Sequence, residues 1–81
     1  MMDKTTLYSI DEIQDALVLT TLDEVYNAMK EKGYDPISQI VGYLISGDSG
    51  YITSYNGART KMLGLDRTKI LEALVREYLE K

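Results

Sequence analysis

The tetrapeptide Gly47–Asp48–Ser49–Gly50 is the one stretch of this protein whose residue types match a known catalytic setting. In chymotrypsin-like proteases a serine framed in this way is the nucleophile. A serine hydroxyl is a weak nucleophile until a positioned base takes its proton, and that base is usually histidine. The 81-residue sequence has no histidine and no cysteine, so neither a Ser–His nor a thiol route is open. A Ser–Lys pair needs a desolvated cleft to lower the lysine pKa, and a protein this short rarely builds one. Gly, Asp, Ser and Gly are also the residues that end helices and form turns. A turn is therefore the expected role of residues 47–50, with no catalytic residue and no enzymatic activity.

The same absences narrow the remaining chemistry. Without Cys or His, zinc and haem sites are not expected, and no metal or other cofactor is assigned. No disulfide can form, which fits cytoplasmic residence. No apolar run approaches the roughly 18 residues that suggest a membrane span. The N-terminal MMDKTTLYS lacks the apolar centre of a secretory signal. A net charge of −4 gives no general positive footprint for nucleic acid. Hydrophobic residues at 44% and charged residues at 27% describe an ordinary globular protein. All seven aromatics are tyrosines, suited to half-buried positions with the hydroxyl in water.

Periodicity and capping signals predict the elements. Residues 1–8 carry no period and no cap, and are expected to be a flexible tail. Residues 9–81 are expected to form a single helical domain. Ser9 and Glu12 make a capping box for a helix that Gly33 stops. Within it, Leu22, Val25, Tyr26 and Met29 form an apolar stripe. A second capping box at Thr21–Glu24 leaves open whether residues 9–32 form one helix or two. Asp35 and Pro36 start the next helix and Gly47 ends it. Its face of Ile37, Ile40, Val41, Leu44 and Ile45 predicts the most buried helix of the protein. Gly42 inside it either allows a close approach or is tolerated at a cost of about 1 kcal/mol relative to alanine. Residues 47–57 read as a loop or helical turn in preference to a hairpin, because no pairing strand is evident. Ser54 or Asn56 then caps a short helix closed by Gly64. Asp66 caps a last helix, with Leu65 and Ile70 placed as a hydrophobic staple. Its apolar face comprises Ile70, Leu71, Leu74, Val75, Tyr78 and Leu79. Glu72–Arg76 and Glu77–Lys81 are spaced as i,i+4 ion pairs. The prediction is an all-α bundle of four to five short helices. Two wide apolar faces in so short a sequence also predict self-association.

The residues carry a resemblance beyond this class. The block EKGYDPISQIVGYLISGD (residues 31–48) closely resembles EKGYNPINQIVGYLLSGD of the IreB family. The likeness continues through Tyr51–Ile52 and Ala58–Arg59. It then reaches LDRTKILEALVREYL, similar to the family's LERDELIEELVKSYL, and DKTTLY near the N-terminus resembles the family's DKTM followed by aromatics. The resemblance implies a small helical, homodimeric cytoplasmic regulator. It also implies a substrate relationship to a cell-wall-sensing Ser/Thr kinase and its partner phosphatase. Control of peptidoglycan synthesis, in some members through Clp-dependent proteolysis of a cell-wall enzyme, is the implied output.

On this resemblance the phospho-acceptor threonine falls on Thr5. Thr6 stands where the family usually has methionine and is the second candidate. The plain alternative is that both are polar tail residues. The family's functional basic cluster is matched only by Arg59 and Arg67, which become the candidate partner-binding residues; its third position is Leu63. The family's GDPAYIPRHKDAR is here GDSGYITSYNGAR. Two prolines are replaced by Ser49 and Thr53, and an Arg-His-Lys run by Ser54, Tyr55 and Asn56. The competing reading is a helix-turn-helix-like nucleic-acid-binding domain. Charge opposes it, since Arg59 and Lys61 are the only cations in residues 33–66.

Overall fold

The computed structural model describes residues 10–80, and the expected tail of residues 1–8 and the Ser9 cap lie outside them. Four α-helices follow one another: α1 (Ile10–Glu31), α2 (Pro36–Ser46), α3 (Ala58–Leu63) and α4 (Arg67–Leu79). Two single 3-10 turns, Ser49–Tyr51 and Tyr55–Gly57, lie between α2 and α3, and no strand occurs among the described residues. The connection is thus helical in character and not a hairpin, as its sequence predicts.

α1 is the axis of the fold. It runs unbroken through Thr20–Thr21, so the second capping box does not divide it. Thr21 instead turns inward beside Val18, Leu22, Val25, Ala28 and Met29, all buried at helical spacing. Each of α2, α3 and α4 packs on this one helix. Tyr26, expected in the stripe, lies outside it and is exposed, with Lys30 Nζ 5.9 Å from its ring centre.

The local start and stop signals act as the sequence predicts. Asp35 takes an extended conformation and accepts from the Ser38 amide and hydroxyl, and Pro36 opens α2. Asp66 Oδ1 accepts from the Thr68 amide at 2.8 Å to start α4. The start of α3 differs. Neither Ser54 nor Asn56 caps it; Gly57 precedes it without a side-chain bond, and Asn56 is held at φ 54, ψ 28 within the preceding turn.

Burial corrects the expectation for α2. Only Ile40 and Tyr43 are buried there, whereas Ile37 (63% exposed), Val41 (47%) and Ile45 (79%) face outward. α4 behaves likewise: Ile70 and Ala73 are buried, Leu74 packs against the core, and Leu71, Val75, Tyr78 and Leu79 are exposed. A short helix on the outside of a small fold buries one narrow line of side chains, and these apolar faces are wider than that line. The remaining core residues are Ile52 from the connection and Ala58 and Met62 from α3.

The ion pairs also differ from the helical i,i+4 expectation. Arg76 does not partner Glu72. It grips Asp15 of α1 with two bonds, Nε to Oδ2 at 2.6 Å and Nη2 to Oδ1 at 3.2 Å. These bonds hold the Asp15 carboxyl below its usual range. Glu72 lies 3.6 Å from Lys69 instead, and Lys81 is outside the described residues.

Candidate functional site

The tetrapeptide at residues 47–50 builds a turn. Asp48 Oδ1 accepts from the Gly50 amide at 2.8 Å and so caps the 3-10 turn that Ser49 opens. Ser46 Oγ donates to the Gly42 carbonyl at 2.7 Å and accepts from the Asp48 amide at 3.0 Å. The polar atoms flanking Ser49 are therefore committed to the backbone.

The two candidate partner-binding arginines both address this connection, at its two ends. Arg59, half-buried on α3, donates Nε to the Ile52 carbonyl at 2.8 Å. Arg67, the exposed first residue of α4, donates Nη1 to the Leu44 carbonyl at 3.1 Å. That carbonyl lies in the last turn of α2, where helical acceptors lack intrahelical partners and a cation is favoured by the helix dipole. A guanidinium has five donors, so one backbone bond does not exhaust its capacity for a second anionic or carbonyl partner. Leu63, at the third position of the expected cluster, is an exposed apolar residue.

Arg67 reaches Leu44 because Gly47 leaves room. Gly47 ends α2 in the left-handed region, φ 76, with its amide donating to the Tyr43 carbonyl at 2.7 Å. A Cβ added there would lie 2.8 Å from Arg67 Cζ and Nη2. Gly47→Ala is therefore expected to lower stability by about 1–2 kcal/mol, from left-handed strain and displacement of the guanidinium. Urea unfolding followed by circular dichroism checks it. Arg67→Ala should cost less, since it removes the bond without straining the backbone. Gly42 shows the close-approach alternative: the Tyr51 ring lies over it, 2.5 Å from where a Cβ would stand. Gln39 Nε2 donates to the Tyr51 carbonyl at 3.0 Å and fixes the same turn.

Residues 54–56 form a different local site, built on a tyrosine. The Tyr55 hydroxyl donates to the Glu31 carboxylate, which pushes the phenol pKa above its ordinary value. Lys32 Nζ stands 5.2 Å from the centre of the Tyr55 ring. Nearby, Lys61 pairs with Glu24 at 3.1 Å. Arg59 and Lys61 are thus both engaged within the fold.

The sequence predicts more apolar face than so short a protein can cover; what it does not give is which of those residues stay open. A groove lies between α1, α2 and α4, lined by Leu22, Tyr26, Ile37, Val41, Leu44 and Leu74. Its sequence signal is the excess width of the α2 and α4 stripes, which periodicity alone assigns to the core. The threonines Thr5 and Thr6 lie outside the described residues. Among those described, no group of His, Cys, Asp and Glu could hold a metal ion, and no helix is long and apolar enough to cross a membrane.

The family model described as IreB regulatory phosphoprotein matches residues 3–80.

Proposed function

This protein belongs to the IreB regulatory phosphoprotein family, and from that premise we propose a non-enzymatic cytoplasmic regulator switched by phosphorylation of residues 1–8. The observation that carries the reading is the extent of the family match, which begins at residue 3 and so includes Thr5 and Thr6. The proposed modifying enzymes are a cell-wall-sensing Ser/Thr kinase and its phosphatase. The proposed output is altered binding to a protein of peptidoglycan control, with Clp-dependent proteolysis as the downstream step.

The physical basis of the switch is electrostatic. A phosphothreonine adds roughly −1.5 to −2 charge and three strong acceptor oxygens. It can dock on a guanidinium with shorter, stronger bonds than a neutral group makes, or repel an acidic partner. Arg59 and Arg67 are the proposed cationic contacts. Their backbone bonds support a built-in geometry there, because each guanidinium is already fixed in direction.

Phosphorylation by the cognate kinase, mapped by mass spectrometry, tests the reading on wild type, Thr5→Ala, Thr6→Ala and the double mutant. Thr5→Ala should remove most of the phosphate and Thr6→Ala little of it. Phosphate confined to residues 21–81 would defeat the N-terminal switch.

The proposed assembly is a homodimer. It is supported by the outward apolar residues of α2 and α4, several of which line open grooves instead of standing singly. Gel filtration with light scattering should give twice the protomer mass of 9.2 kDa. Val41→Glu, at an exposed position of the groove, should shift the protein to monomer with its helix content kept.

A further inference from the structure

The turn Tyr55–Asn56–Gly57 contains no buried residue. Asn56 is the only non-glycine residue with positive φ among those described, and Gly57 follows it at φ 72. An asparagine followed by glycine carries its own nucleophile. The backbone nitrogen of the next residue can close a five-membered ring on Asn Cγ, and glycine has no Cβ to crowd the attack. We infer that Asn56–Gly57 is a spontaneous deamidation site, a hydrolytic modification that places a carboxylate in the groove between α1 and α3.

The steps balance with water as the only co-reactant. The Gly57 amide loses its proton to solvent base and its nitrogen bonds to Asn56 Cγ. The bond from Cγ to the carboxamide nitrogen of Asn56 breaks, and that nitrogen takes up a proton and leaves as ammonia. Water then opens the resulting succinimide. Cleavage between Cγ and the Gly57 nitrogen gives aspartate, and cleavage at the backbone carbonyl gives isoaspartate. One water is consumed and one ammonia released, with no redox change.

The structure sets how freely this proceeds. The Gly57 amide donates to the Ser54 carbonyl at 3.1 Å, so the turn must open before the nitrogen can attack. Both Asn56 and Gly57 are exposed, and an exposed single turn opens at low cost. Asn27, the other asparagine, sits inside α1 and is followed by buried Ala28. Its next amide is held in a long, packed helix.

The consequence is local and electrostatic. Glu31 and Asn56 both act on the Tyr55 phenol, Glu31 raising its pKa and Asn56 lowering it. An ionised carboxylate cannot donate a hydrogen bond, so what the carboxamide offers the phenol is lost and a negative charge takes its place. The new charge enters a groove already lined by Glu24 and Glu31. Isoaspartate would also lengthen the backbone just before α3, next to buried Ala58 and the Arg59 anchor.

The test incubates the full-length native protein at mildly alkaline pH and body temperature, then locates acid products by peptide mass spectrometry and isoaspartyl methyltransferase labelling. Conversion at residue 56 should exceed that at Asn27 by at least about tenfold, as expected for a locally opening turn against a packed helix. It should rise with pH, label as isoaspartate and vanish in Asn56→Gln. An Asn56 that stays intact in the native protein while the urea-unfolded protein is converted would overturn the inference. Equal conversion at Asn27 would overturn it too.

Discussion

Ile70→Ala should lower the unfolding free energy by about 2–5 kcal/mol, the usual cost of emptying a fully buried aliphatic site. Ile70 is 0% exposed and, with Ala73, supplies all that α4 fully buries. Small domains are stable by only about 0.05–0.15 kcal/mol per residue, so the loss removes a large share of the total. Urea unfolding should show a lower midpoint at an unchanged slope. Val75→Ala is the control on the same helix. Val75 is largely exposed, and as a surface change it should cost less than about 0.5 kcal/mol in the monomer.

Ile52→Ala should cost a similar amount, about 2–5 kcal/mol, although it lies in no regular helix. Ile52 is fully buried and is the only core residue contributed by the connection between α2 and α3. Its carbonyl receives Arg59 Nε, and the next amide, of Thr53, points at Met29 Sδ at 3.4 Å. The buried Ile52 side chain and these two bonds thus hold the connection to the core between its two 3-10 turns. Beyond the loss of stability, amide exchange should quicken across residues 48–57 while the centre of α1 stays protected. Ile45→Ala removes the same atoms from an exposed position and should leave monomer stability nearly unchanged. A large effect at Ile45 alone would place that residue in an interface that Ile52 does not reach.

The contrast between Ile45 and Ile52 marks where sequence reasoning ends. By itself the sequence determined the helical class and most of the helix boundaries. Asp35, Pro36, Gly47 and Asp66 act through bonds and dihedral limits that span a few residues, so their types and order suffice. It also carried the family resemblance that the match over residues 3–80 bears out. The assignments of Thr5, Thr6, Arg59 and Arg67 rest on that resemblance and stand as proposals. Tertiary structure alone decided the rest. Periodicity marks an apolar face but not how much of it another helix covers. α1 is the common partner of three short helices, so each gains one line of contact and leaves its remaining apolar residues outside. The same reason governs the charges. Sequence spacing offers Arg76 a partner four residues away, whereas folding brings Asp15 to it across 61 residues. The resemblance marks Arg59 and Arg67 as candidate partner-binding residues and says nothing of their contacts within the fold. In the fold each also donates one bond to a backbone carbonyl, of Ile52 and of Leu44, at the two ends of one connection.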